Sequence, residues 1–214
     1  MRELPATLVV MALPAESAGL FAATQVPVLY CGVGKVNAAG ALMRELARYR
    51  HAGRTLPLVV NFGSAGSRVH KAGTFLACHQ FVQRDMDASG LGFALGVTPF
   101  EDTPPCLSFE PLFTQLPAAI CGSGDSFAIG AASVACSVLD MEAYALAKMC
   151  WLERARFGCV KYITDGADHS AGAAWRCSVH KAADEFLRLY RTLADDRGSS
   201  ATRGSALQCR FQPN

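Results

Sequence analysis

Apolar runs of strand length alternate along the chain with stretches of helical composition. Thr7–Met11 is a short β-prone run that ends at Ala12-Leu13-Pro14-Ala15-Glu16-Ser17, a loop and short helix start. Val26–Tyr30 predicts a second strand, Cys31–Asn37 a glycine turn, and Asn37–Tyr49 a helix whose stripe is Ala38, Leu42, Leu46 and Tyr49. Leu56–Phe62 reads as a central strand running into the small-residue loop Gly63-Ser64-Ala65-Gly66-Ser67. Thr74–Val82 follows, and the Gly/Pro-rich stretch to Pro105 reads as a long loop. Ala118–Cys121 leads into a second small-residue loop, Gly122–Phe127, and Val134–Leu139 into a helix opening at Asp140-Met141-Glu142. Phe157–Ile163 is the last strand and Ala173–Leu193 a long amphipathic helix. Strands alternating with helices predict an α/β domain over residues 1–195, with 196–214 as a flexible tail.

Composition narrows the class. With 214 residues, 51% hydrophobic and 18% charged, the chain has enough apolar material for one well-filled core, and whole-chain disorder is excluded. The formal charge is +2 and Lys and Arg are scattered, which argues against a nucleic-acid partner. Nine cysteines form no CxxC pair, and Cys78, Cys136 and Cys159 lie in apolar runs. They read as small buried hydrophobes of a reducing cytosol, neither a disulfide framework nor a zinc site. His70, His79, His169 and His180 have no metal-like spacing. Arg2 and Leu8–Leu13 loosely imitate a secretory signal, but Glu3 and Pro5 spoil it, and Ser17–Gly34 is too interrupted for a membrane span. The expectation is a cytoplasmic protein with no metal, no organic cofactor and no membrane partner.

Three carboxylates follow three different predicted strands: Glu16, Glu142 and Asp165. In a mainly parallel sheet the carboxyl ends of the strands share one edge, so these groups can surround one pocket together with the two small-residue loops. Singly, each has a plainer reading: Glu142 as a residue complementing a helix dipole, the loop at Ser64 as a tight turn, Asp125 as a brace of its own loop. Gly32-Val33-Gly34 resembles a dinucleotide fingerprint, but Asn37 stands where a third glycine is needed and no acidic residue ends the next strand. Ser64 and Ser123 have no Ser-His-Asp logic around them.

Gly32-Val33-Gly34-Lys35-Val36-Asn37-Ala38-Ala39, Asn61-Phe62-Gly63-Ser64-Ala65-Gly66, Ser123-Gly124-Asp125-Ser126-Phe127, Met141-Glu142-Ala143 and Thr164-Asp165-Gly166-Ala167-Asp168 occur in one order. In that order they resemble the nucleoside phosphorylase/nucleosidase superfamily, and most of all its methylthioadenosine/S-adenosylhomocysteine nucleosidases, over about residues 7 to 190. The resemblance implies a single-domain three-layer α/β sandwich around a mixed, mostly parallel sheet. It implies a homodimer that cleaves the N-glycosidic bond of a purine nucleoside without a cofactor. By it, Asp165 is the general acid at purine N7, Glu16 activates water with Ser64 nearby, and Glu142 binds the ribose hydroxyls. Met141 packs on the sugar, Phe127 stacks on the base, and Ala65 and Gly66 line the same loop.

The residue types suit that chemistry. Ribosyl transfer passes through an oxocarbenium-like state in which the base gains electrons and the sugar gains positive charge. A protonated carboxyl near the base and an ionised one near the ribose lower the two costs. Glu16 at the nucleophile position favours water over phosphate, although Lys35 and Arg68 near the glycine loops keep a phosphorylase as the alternative, beside a degenerate nucleoside-binding protein. The segment between Asp165 and Asp184-Glu185-Phe186 is longer than the family pattern. It normally lines the pocket for the 5′ substituent, and Trp175 in it reads either as a buried structural residue or as an apolar wall.

Overall fold

The computed structural model describes residues 6–24, 26–127 and 132–203. Strand β1 (Thr7–Met11) leads through one helical turn, α1 (Pro14–Ser17), to β2 (Val28–Tyr30) and the helix α2 (Lys35–His51). Two nine-residue strands follow, β3 (Leu58–Gly66) and β4 (Phe75–Gln83), then the short β5 (Cys106–Ser108), β6 (Ala118–Ser123) and β7 (Val138–Asp140). Helix α3 (Ala143–Glu153), β8 (Phe157–Asp165), α4 (Ala171–Ser178) and α5 (Ala183–Arg203) complete the described chain.

All eight strands belong to one mixed sheet. Parallel pairs join β1 to β2 and β3, β3 to β8, β4 to β6 and β6 to β7. Antiparallel pairs join β4 to β8 and β5, and β3 to β7 at Gly66 and Leu139. The pairings β3–β8–β4–β6–β7–β3 therefore close a ring, which leaves those strands without a free edge.

Side chains alternate across the strands, as the pleat requires, and each face buries its own core. Leu8, Val10, Val59, Phe157 and Cys159 pack against Ala38, Leu42 and Leu46 of α2 and Ala143, Leu146 and Ala147 of α3. Val9, Met11, Leu58, Val60 and Phe62 pack on the other face with Phe186 and Leu189 of α5. The result is the expected three-layer sandwich around a mixed, mostly parallel sheet.

Local differences from the sequence reading have physical causes. The expected loop at 63–66 is strand, because β8 pairs with β3 up to Gly66. The strand expected over 134–139 is confined to Val138–Asp140. β5 is three residues on the edge beside β4, too short to show a period. The expected helix 173–193 is broken, with a tight 3₁₀ turn at Val179–Ala182. There the Ser178 hydroxyl donates to the Ala174 carbonyl at 2.6 Å, a back-bond that bends helices. The last helix runs to Arg203, and residues 204–214 of the expected tail lie outside the described residues. No helix among the described residues is long and apolar enough to cross a membrane.

Phe62 is fully buried, stacked on Phe186 with centroids 5.0 Å apart and tilted against Phe21 and Phe113. Phe62→Ala empties the centre of this aromatic layer and is expected to cost about 3–5 kcal/mol. Urea unfolding measures it; a loss below about 1 kcal/mol contradicts the packing described.

Candidate active site

The first carboxylate is placed by a helix of one turn. Pro14 starts α1, and Ala18, in the left-handed region, ends it, so Glu16 turns inward and is 3% exposed. Its Oε2 accepts the Ala12 and Leu13 amides at 2.8 and 3.1 Å, and its Oε1 accepts the Ser64 amide and hydroxyl at 2.8 and 2.9 Å. Both oxygens are thus filled by donors from the end of β1 and from β3. The Trp175 indole in α4 donates to the same Ser64 hydroxyl at 3.0 Å.

Glu142 lies in the junction between β7 and α3, and its Oε1 accepts the Gly34 amide at 2.9 Å. Gly34 precedes the first turn of α2, where a dinucleotide fingerprint would hold a pyrophosphate. The chain's own carboxylate occupies that donor. Gly32 and Gly34 have φ of 82° and 95°, so the turn itself accounts for both glycines.

Asp165 ends β8. Its Oδ1 accepts the Ala167 amide at 3.0 Å and its Oδ2 the Thr164 hydroxyl at 2.7 Å. A β carbon on Gly66 would sit 2.7 Å from Asp165 Oδ1, so only glycine fits beside this carboxyl.

The three carboxylates line one cavity of about 380 Å³, together with Phe127, Met141, Ser64, Ala65 and Gly66. All eight residues that the resemblance gives a site role border it, and so does Trp175. The reason for the convergence differs in part from the one expected. The carboxyl ends of β1, β3 and β8 do share an edge, but β7 runs antiparallel to β3. It delivers Glu142 because it is only three residues long and crosses β3 at that strand's last residue. Lys35, expected near the pocket as a possible phosphate ligand, is paired with Asp85 and with Asp125 at 3.7 Å. Asp125 also accepts the Lys35 amide, so its carboxylate braces the start of α2. Arg68 does not line the cavity.

No family model matches the chain. A curated 5′-methylthioadenosine/S-adenosylhomocysteine nucleosidase of Marinomonas sp. (strain MWYL1) is 28% identical over 170 residues, 69% of this chain and 71% of that protein. The 5′-methylthioadenosine/S-adenosylhomocysteine nucleosidase of Helicobacter pylori, solved in complex with a substituted pyrrolidinol, superposes with a TM-score of 0.79 at 19% identity, over 91% of this chain and 100% of its own. A futalosine hydrolase mutant of Helicobacter pylori gives 0.78 at 18% identity, over 90% and 100%. The Streptococcus pyogenes S-adenosylhomocysteine nucleosidase gives 0.76 at 21%, over 92% and 98%. The chain is similar in sequence to a nucleosidase and shares its fold with the solved nucleosidases, in agreement with the resemblance of its motifs.

Within this scaffold a buried ion pair beside the site escaped the sequence reading. Lys161, in the middle of β8, is 1% exposed, and its Nζ lies 2.8 Å from Asp140 Oδ2. Asp140 also accepts the Ser123 hydroxyl and the amides of Glu142 and Ala143 at 3.3 and 2.8 Å. Burial works to raise the Asp140 carboxyl, but the Lys161 ammonium overrides it and holds the group below the usual range. Burial works to lower Lys161, and the Asp140 charge keeps it well above the ordinary lysine value. For Glu142, burial and then the Asp140 charge push the carboxyl up to about 7. A β carbon at Gly63 would stand 3.1 Å from Lys161 Nζ and 3.2 Å from Glu16 Oε1, so the ammonium and the Glu16 carboxylate flank the same side of Gly63, although Lys161 itself does not line the cavity. The available signal was a lysine inside an otherwise apolar strand, Phe157–Ile163.

Removing one partner of a buried pair leaves the other charge uncompensated. Lys161→Ala is expected to lower unfolding free energy by about 3–5 kcal/mol, and Lys161→Met with Asp140→Leu to recover much of that loss. Equal urea midpoints for the single variant and the parent would contradict the pairing.

Proposed function

We propose that the protein is a purine nucleosidase that hydrolyses the N-glycosidic bond of a 5′-modified adenosine, of the methylthioadenosine or S-adenosylhomocysteine type. The observation that carries the reading is the meeting of Glu16, Glu142 and Asp165 around one cavity of nucleoside size. The curated relative, named for that activity, supports it.

In this reading the C1′–N9 bond breaks with its electron pair passing to the base, and the Asp165 proton goes to N7. The ribose hydroxyls donate to ionised Glu142, whose charge opposes the growing positive charge on the sugar. Met141 covers the sugar and Phe127 the base. A water attacks C1′ and loses a proton to Glu16, taking the place of the Ser64 hydroxyl at Oε1. The ion-paired Lys35 supports water over phosphate as nucleophile. Arg84, which also borders the cavity, donates through Nη2 to the Gly124 and Ser126 carbonyls and through Nη1 to the Ser126 hydroxyl. The reading carries a cytoplasmic location and a homodimer. Tyr30, Val33 and Val36 are exposed, Val33 at the cavity itself, and offer apolar surface to a second copy.

Free adenine should be released from 5′-methylthioadenosine at the same rate with and without phosphate. A rate that vanishes without phosphate identifies a phosphorylase, and tight binding with no release identifies a nucleoside-binding protein. Asp165→Asn should lower turnover by about a hundredfold to ten-thousandfold.

Glu142 supplies a pH dependence. It must be ionised to accept from the ribose, and in the free protein its proton leaves near pH 7. Below that pH substrate binding has to expel a proton, so kcat/KM should climb as pH rises through about 7. Glu142→Gln should abolish this limb. A limb in the ordinary carboxylate range contradicts the assignment.

A further inference from the structure

Thr164 precedes Asp165 at the end of β8, lines the cavity, and is 3% exposed. Its Oγ1 lies 2.7 Å from Asp165 Oδ2 and 3.2 Å from the Ala65 carbonyl oxygen. A hydroxyl has one proton to donate, and Ala65 O can only accept. Which acceptor receives that proton therefore depends on Asp165. When Asp165 is ionised, Oδ2 is the stronger acceptor and takes the Thr164 proton. When Oδ2 carries a proton of its own, Thr164 is free to donate to Ala65 O. The other oxygen, Oδ1, accepts the Ala167 amide, a donor that cannot turn away in either state.

We propose that Thr164 is a positioning residue for the acid, its hydroxyl proton turning from the Ala65 carbonyl to Asp165 Oδ2 as Asp165 gives its own proton to the purine. The inference rests on the nucleosidase reading with Asp165 as general acid. In the step the Asp165 O–H bond breaks, the N7–H bond forms, and the electron pair of C1′–N9 passes to the base. Negative charge appears on Asp165 where it was absent. The Thr164 O–H bond stays intact and only rotates about Cβ–Oγ1. Only interactions that strengthen on the way to the transition state speed the reaction, and this hydrogen bond becomes charge-assisted during the step. A bond to a charge is roughly twice as strong as a neutral one, so the gain at Oδ2 exceeds the loss at Ala65.

Thr164→Val keeps the shape and removes the hydroxyl, and Thr164→Ser keeps the hydroxyl. Adenine release by the valine variant should show kcat lowered about tenfold with KM little changed. Its alkaline limb of kcat should move to higher pH, because losing a donor to the ionised carboxyl outweighs losing an acceptor for the neutral one. The serine variant should restore both. A valine variant with the parent's kcat and limb overturns the proposal. So does a serine variant as impaired as valine, or a loss confined to KM and melting temperature, which marks a purely structural residue.

Carbon-13 NMR of the aspartate carboxyls provides a readout independent of turnover. Asp165 should lose its proton at higher pH in the valine variant than in the parent and the serine variant, and coincident titrations overturn the proposal. If the parent releases no base from any 5′-modified adenosine, the nucleosidase reading falls, and the titration still decides whether the hydroxyl follows the carboxyl.

Discussion

A full positive and a full negative charge sit where water does not reach, and the site is built around keeping them together. Lys161 and Asp140 come from strands on different parts of the closed ring, β8 beside β3 and β4, and β7 between β6 and β3. Taking two ions out of water costs several kcal/mol each, so the pair is tolerable only with close contact and with the remaining lone pairs satisfied. Asp140 meets that condition through Lys161, the Ser123 hydroxyl and the amides opening α3. One carboxylate therefore fixes the end of β6, the end of β7 and the direction of a helix. Two residues further on, that direction sets the position of Glu142.

Three carboxylates in one cavity repel one another, and the chain treats each differently. Glu16 is filled by four donors, three of them backbone amides. Glu142 accepts the Gly34 amide and faces the charge of Asp140, so burial and repulsion leave it poised near neutrality. Asp165 holds one fixed amide and one hydroxyl that has a second acceptor within reach. Environments this different suit the three roles proposed for them, base, ribose ligand and acid, the division that glycosidic chemistry asks of carboxyl groups.

Much of this was legible in the order of residues. Apolar runs of strand length placed Glu16, Asp165 and the small-residue loop at Ser64 on a common edge, whereas the layered architecture came with the family resemblance, since β8 and most of β3 are buried on both faces and show no polar alternation. Period alone could not show that β7 runs antiparallel to β3, because three residues carry no direction. It likewise missed that Ser64 lies inside a strand, since small residues look like a turn until a partner strand supplies the hydrogen bonds. Lys161 was hidden for a related reason: a single charge in an apolar run reads as an interruption, and its meaning lies in Asp140, 21 positions earlier in the chain. Trp175 was placed on the right segment, but its hydrogen bond to Ser64 depends on the bend after α4, which the sequence smoothed into one long helix.

The central claim is geometric: Glu16, Glu142 and Asp165 address one sugar and its base at the same time. A crystal structure of the Asp165→Asn variant with a 5′-modified adenosine tests it most directly. The ribose hydroxyls should lie within hydrogen-bond distance of Glu142, N7 beside residue 165, and a water between Glu16 and C1′. A nucleoside bound with its sugar turned away from Glu142, or lodged outside this cavity, would contradict it.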